Sequence, residues 1–182
     1  MPDISNFKLE QITGRSLVRL RVRPEIAPTV AVALKLPHAL CFRGDDPVAH
    51  WLGPDQWLLA SDNKPAGEIL ESVDSALSGR TYAAVDTSSA NVCLRLSGSA
   101  ARNLLAMGCG IDMHHTAFVK GQCIRTNFAQ VALFIAAVDD DCFELYVDRS
   151  LGQYLRDWLL AASEDPSTQK LNRGLSKLSE MI

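Results

Sequence analysis

The chain has 182 residues, of which 47% are hydrophobic and 21% charged, and a formal net charge of −3. That length suits one domain able to bury roughly 70% of its unfolded surface without disulfides or a structural metal. The slight acidic excess argues against a nucleic-acid partner, and no stretch approaches the ~18 apolar residues of a membrane-spanning helix. The start Met1-Pro2-Asp3-Ile4-Ser5-Asn6 lacks the basic and apolar regions of a secretory signal, so the expected compartment is the cytoplasm. The five cysteines (Cys41, Cys93, Cys109, Cys123 and Cys142) form no C-x-x-C pair, and Cys93 and Cys142 sit in strand-like runs as buried reduced thiols.

In chain order, Ser16 to Arg23 alternates apolar and basic residues, the pattern of a half-buried strand. Residues 25 to 35 carry Ile26, Val30, Ala33 and Leu34 on one helical face, with Pro28 in the first turn and Pro37 closing the helix. Ala39 to Arg43 predicts a short strand. Ala49–Leu52 and Gln56–Ala60 predict a hairpin across Gly53-Pro54-Asp55, with Leu52 opposite Trp57 and Trp51 opposite Leu58. Both hairpin faces are then apolar, which predicts strands covered on both sides.

Pro65 to Leu77 predicts a helix, and Thr81–Asp86 and Asn91–Leu96 predict strands. Ser97-Gly98-Ser99 is positioned to cap a short helix through Ala100, Leu104, Leu105 and Met107 that ends at Gly108. Residues 109 to 121 show no period. Cys123–Phe128 and Val131–Val138 predict a second hairpin. Phe143–Val147 leads to a last helix, whose start Ser150-Leu151-Gly152-Gln153 fits a capping box. Beyond Ala162 the chain turns polar, and Leu171, Leu175, Leu178 and Ile182 mark a short amphipathic tail. The expected organisation is one domain over 1–162 with a linker and docking tail over 163–182.

The two halves echo each other. Gln56-Trp57-Leu58-Leu59-Ala60, then Asp62 and a helix, parallels Phe143-Glu144-Leu145-Tyr146-Val147, then Asp148 and a helix. The strand and helix at 16–35 parallel those at 91–107. Strand-helix-strands-helix twice predicts an α+β pseudo-repeat of two mixed sheets with helices around them. Two halves packed together leave little room for a conventional catalytic pocket.

The candidate chemistry is sparse. The chain lacks G-x-G-x-x-G and the phosphate-loop pattern. Gly108-Cys109-Gly110 follows a helix and reads as a C-cap rather than a phosphate site. Cys109, His114, His115 and Cys123 have zinc-compatible types in a spacing that matches no closed structural site. Cys109, His114 and Asp112 name the parts of a nucleophilic triad without fixing its geometry. Arg19, Arg21 and Arg23, with Arg15 nearby, share a strand face and suit either a solvated edge or an acidic partner. Asp139-Asp140-Asp141 reads as a polar turn, and Trp51, Trp57 and Trp158 as core or interface anchors, the apolar pattern around each favouring core. No catalytic, cofactor-binding or metal residue is assigned.

Three ordered blocks resemble one family. Trp51-Leu-Gly-Pro-Asp-Gln-Trp57-Leu-Leu59 is similar to its W-L-G-P-D-x-W-L-L segment. Leu94-Arg-Leu-Ser-Gly98, Ala101-Arg102, Leu104-Leu105 and Gly108-Cys109 resemble its L-R-L-S-G-x-x-A-R-x-L-L-x-x-G-C segment. Phe143-Glu-Leu-Tyr-Val147, Arg149-Ser150 and Tyr154-Leu155 resemble its F-E-L-Y-V-x-R-S-x-x-x-Y-L ending. The family is the gamma subunit of heterotetrameric sarcosine oxidase, and the resemblance covers roughly residues 10 to 162.

The resemblance implies a non-catalytic, structural subunit with alpha, beta and delta partners. Together they demethylate sarcosine oxidatively to glycine, passing the one-carbon unit to tetrahydrofolate or releasing it as formaldehyde. It implies FAD, FMN, NAD, tetrahydrofolate and zinc on the partner subunits and none on this chain. It also implies a fold like the folate-binding domain of aminomethyltransferases, itself a two-half pseudo-repeat. Asp86 matches no folate-contacting residue by motif, so no such role is carried onto it. Two alternatives stay open: a gamma-type subunit of a related oxidase or dehydrogenase acting on another N-methyl amino acid, and a stand-alone folate-binding protein.

Overall fold

The computed structural model describes residues 6–164, among which ten strands and four α-helices form four layers, helices on each outer side of two stacked sheets. The layering follows from the period-two alternation within each strand. In β5 (Gln56–Ser61), Trp57 and Leu59 join the helix-side core while Leu58 and Ala60 face the other sheet. In β9 (Val131–Asp139), Leu133 and Ile135 pack towards helices while Phe134 and Ala136 face the first sheet. Strands apolar on both faces, as the sequence predicts, are the central layers of such a stack.

The first sheet has the order β3 (Phe42–Arg43), β4 (Val48–Gly53), β5, β2 (Ser16–Val22), β6 (Tyr82–Asp86). Its outer face packs on α1 (Ala27–Ala33) and α2 (Ala66–Ala76) through Val30, Ile69, Val73 and Leu77. The second sheet has the order β1 (Lys8–Ile12), β7 (Asn91–Ser97), β10 (Cys142–Asp148), β9, β8 (Cys123–Phe128). It packs on α3 (Ala101–Gly108) and α4 (Gly152–Glu164) through Leu104, Leu105, Leu155 and Leu159. Every strand pairing in both sheets is antiparallel, not mixed as the sequence reading has it.

The pseudo-repeat is present, with one strand of each half exchanged. β1 precedes β2 in the chain but pairs with β7 in the second sheet, from Lys8↔Ser97 to Ile12↔Cys93. β6 precedes β7 but pairs with β2 in the first sheet, from Val22↔Tyr82 to Val18↔Asp86. Each sheet therefore needs a strand from the other half. Around Gly14, at φ 79°, the chain crosses from one sheet to the other. The second crossing is pinned where Thr87 N–H donates to the Leu17 carbonyl at 2.7 Å and Leu17 N–H to Ser88 Oγ at 2.8 Å.

Several local details depart from expectation. The β4–β5 hairpin holds a bulge between Trp51 and Gly53, so Trp51 lies opposite Trp57 and His50 opposite Leu58. Of the predicted strand at 39–43 only Phe42 and Arg43 pair in the sheet, Leu40 having φ 60°. The predicted helix at 25–35 is a 3₁₀ turn at Pro24–Ile26 followed by α1, which ends before Lys35, at φ 52°. No side chain caps α3; its N-cap residue Ala100 donates its N–H to Asn6 O at 3.1 Å, and the preceding turn is held by Gly98 N–H donating to Asp141 O at 2.9 Å. The capping box at Ser150 does not form, because Arg149–Leu151 is a 3₁₀ turn and Gln153 Nε2 donates to Asp157 Oδ1 instead, at 2.7 Å. Helix α4 runs through Ser163 and Glu164, and the amphipathic pattern at 171–182 lies outside the described residues.

Candidate functional site

Charged residues set within apolar strands are the most informative feature of the inter-sheet layer. Glu144 stands in the run Phe143-Glu-Leu-Tyr-Val147 and Arg15 at the crossing between β1 and β2; their side chains are 6% and 9% exposed. Arg15 Nη1 donates to Glu144 Oε2 at 2.5 Å and to Tyr146 Oη at 2.8 Å. Its Nε and Nη2 grip both oxygens of Asp62, just beyond β5, at 2.7 Å each. Arg95 Nη2, from β7, donates to Glu144 Oε1 at 2.7 Å, and the Tyr146 hydroxyl to Glu144 Oε2 at 2.8 Å. Arg15 thus joins a carboxylate of the first half to one of the second, and a fork-shaped guanidinium is suited to that bidentate task.

The electrostatics follow from burial and pairing. Burial alone would raise the Glu144 carboxyl, but the guanidiniums of Arg15 and Arg95 outweigh it and hold it below its usual range. The hydrogen bonds from Arg15 likewise hold Asp62 down. Burial pushes Cys93 up to about 12 and Tyr146 well above its ordinary value, so both keep their protons at neutral pH.

Beside this network lies a cleft of about 120 Å³. Polar residues that line it include Asp45, Asp46, Asp62, Glu144 and Arg15, and apolar ones Val48, Ala60 and Val138. His50, from β4, lines it as well. It is 1% exposed, and neither ring nitrogen makes a well-formed hydrogen bond among the described residues, with only weak polar contact to the backbone of Leu58 and Val48. Its ring contacts are aromatic, with Phe42, Phe134 and Tyr146 centroids at 5.2, 5.7 and 5.6 Å. Burial lowers it to about 4, so the imidazole is neutral at physiological pH.

The residues singled out from the sequence lie apart from this cleft, Arg15 excepted. Arg19 donates to Gln56 and Arg21 pairs with Asp55 at 3.3 Å, while Arg23 is exposed. Cys109 Sγ donates to the Leu105 carbonyl, and Cys123 Sγ to the Cys41 carbonyl on another face. The His114 and His115 rings lie tilted with centroids 4.0 Å apart, and Asp112 accepts the His114 backbone N–H. Asp139 pairs with Lys120 and Asp141 with Arg102, as a solvated turn would. Asp86 accepts from the Ser88 backbone and hydroxyl. Trp57 is core, and Trp158 stands edge-on to Phe128 at 4.7 Å. Glu144 and His50 went unselected, although a charge or imidazole inside a run of apolar residues is itself the signal of a buried polar site.

Comparison with known proteins agrees with the architecture. Residues 22–165 match the family described as sarcosine oxidase, gamma subunit family. A curated relative, sarcosine oxidase subunit gamma of Corynebacterium sp. strain U-96, is 27% identical over 121 residues. That alignment covers 66% of this chain and 58% of the relative, so the matched part spans less than two thirds of that relative's length. A chain in the structure of heterotetrameric sarcosine oxidase from Corynebacterium sp. U-96, in complex with pyrrole 2-carboxylate, superimposes with a TM-score of 0.78 at 26% identity. That match covers 86% of this chain and 83% of the other. Glycine cleavage system aminomethyltransferase T from Bartonella henselae shares the fold, with a TM-score of 0.63 at 16% identity over 85% of this chain and 45% of that one. With most of its length matched, two sheets in pseudo-repeat and the same architecture in a relative's structure, the chain belongs to the sarcosine oxidase gamma subunit family.

Proposed function

We propose that this chain is a non-catalytic structural subunit of a heterotetrameric sarcosine oxidase, the gamma position beside alpha, beta and delta subunits. In this reading the complex is cytoplasmic and demethylates sarcosine oxidatively to glycine. The one-carbon unit goes to tetrahydrofolate or leaves as formaldehyde, and FAD, FMN, NAD and zinc reside on the partners. The observation that supports it most is the family match over residues 22–165 together with a TM-score of 0.78 to a chain of a heterotetrameric sarcosine oxidase.

The residues of the chain support a structural role on their own. The charged groups of its polar network are paired with each other: Arg15 with Asp62 and Glu144, and Arg95 with Glu144. Its buried thiols Cys93 and Cys123 are both pushed up to about 12, far from the thiolate a nucleophile needs. What the molecule offers outward is apolar side chains in solvent, with Val32 81% and Val85 55% exposed. Val85 lies on β6, an edge strand that can be covered or extended by a partner.

An oxidase assay of the isolated full chain tests this reading. The expected result is no sarcosine-dependent hydrogen peroxide, no flavin absorbance and self-association in gel filtration. Turnover by the chain alone would overturn it. Saturable binding of tetrahydrofolate by the isolated chain would favour the stand-alone folate-binding alternative instead.

A further inference from the structure

The cleft beside the Arg15–Glu144 network has the chemistry of a ligand site. Four carboxylates line it, Asp45, Asp46, Asp62 and Glu144, against the single guanidinium of Arg15. That guanidinium is already engaged by Asp62, Glu144 and Tyr146, and Arg95 adds one further positive charge from outside the lining. The cleft is therefore acidic on balance and attracts a cation.

His50 is the second and independent observation. A buried polar group without a partner costs about 1–3 kcal/mol, and an apolar side chain of similar size would serve the aromatic contacts without that cost. His50 lines the cleft as a neutral imidazole, which carries one lone pair able to accept from a hydrogen-bond donor. The lining residues Val48, Ala60 and Val138 have nothing to offer a bare ion but suit a methyl or ethyl group.

We propose that this cleft binds a small free alkylammonium ion, of about the size of methylammonium. Its nitrogen donates to Asp46, Asp62 or Glu144 and to His50, and its alkyl part lies against Val48, Ala60 and Val138. A volume of about 120 Å³ suits an ion of a few heavy atoms. An amino-acid zwitterion fits poorly, because its carboxylate would face Asp45 and Asp46 with no uncommitted cation to receive it. A divalent metal also fits poorly, since no group of three or more His, Cys, Asp or Glu among the described residues could hold one.

The test soaks crystals of the full chain, with whatever subunits purify alongside it, in bromoethylammonium chloride. Bromine anomalous scattering then locates the ion. One bromine peak per chain in the cleft is expected. In solution, calorimetry with methylammonium chloride should give a saturable heat that potassium chloride does not. Asp46→Asn, at the half-buried mouth, and His50→Leu should each weaken that affinity by about ten-fold or more. Because Asp46 makes only a 3.3 Å contact with Asn63, its variant is expected to keep the fold.

An empty cleft after soaking, or a partner's lysine already filling it, would overturn the proposal. So would equal heats from potassium, or unchanged affinity in both variants. None of these results bears on the subunit reading, which does not depend on this cleft.

Discussion

At the scale of single residues, the fold turns on how buried charge is satisfied. Removing Arg15 takes one of two guanidinium partners from Glu144, leaving it Arg95 and the Tyr146 hydroxyl, and frees Asp62. A buried charge left wholly unpaired costs about 3–5 kcal/mol, and because Arg95 still pairs with Glu144, Arg15→Met should destabilise by less than that, by about 2 kcal/mol in urea denaturation. Asp62→Asn should cost much less, because the Asp62 side chain is 54% exposed and solvent screens its pair. His50 sets the acid response. Its native value of about 4 lies below the ordinary 6.5, so the unfolded chain takes up a proton first as pH falls. Stability is then lost between pH 6.5 and about 4, by about 3 kcal/mol across that window. The depressed carboxylates of Glu144 and Asp62 act further down: their contribution is present above ordinary carboxylate values and vanishes only as pH falls through their lowered ones. His50→Leu should keep the fold and flatten the loss above pH 4, and an unchanged pH slope would refute this account. Of these residues only Arg15 stands out in the sequence, as a neighbour of an arginine run. Its role depends on the crossing at Gly14, a long-range feature that no local pattern encodes.

Among the elements, apolar period was legible and chain crossing was not. The helices at 66–76, 101–108 and 152–164 and the hairpin at 123–139 follow from spacing alone, because each buries one face of a regular element. β1 is silent in the sequence: Lys8-Leu-Glu-Gln-Ile12 is largely exposed on an edge and carries two apolar residues. It nonetheless completes the second sheet, so deleting residues through 12 should lower the melting temperature and expose β7. Circular dichroism melts of the truncated and full chains compare this directly. The hairpin register misled because a bulge at Leu52 inserts one residue that turn chemistry does not announce. The start of α3 misled because the Asn6 carbonyl meets the Ala100 N–H where a side-chain cap is expected. Gly98 marks that spot. At φ 109°, an added Cβ would lie 2.2 Å from the Asn6 carbonyl oxygen. Gly98→Ala should therefore cost more than about 2 kcal/mol through strain and displacement of β1. A melt matching the parent chain would show that the approach is not needed.

Across the whole molecule, the exchanged strands weld two similar halves into one body, since neither sheet is complete within its own half. The layering leaves the centre filled by Leu17, Leu58, Cys93, Cys123, Phe134 and Tyr146, with the polar network at one side. The three motif blocks read from the sequence map onto β4–β5, β7–α3 and β10–α4, the repeated units themselves, which is why family membership was legible where the cleft was not. The most direct measurement is affinity capture of the full chain from its native host, with mass spectrometry of what accompanies it. The account predicts recovery in stoichiometric amounts of a flavin-bearing subunit, a large NAD- and folate-type subunit and a small zinc-bearing one, with sarcosine-dependent peroxide production in the captured material. A lone, soluble, monodisperse chain without those companions would contradict it.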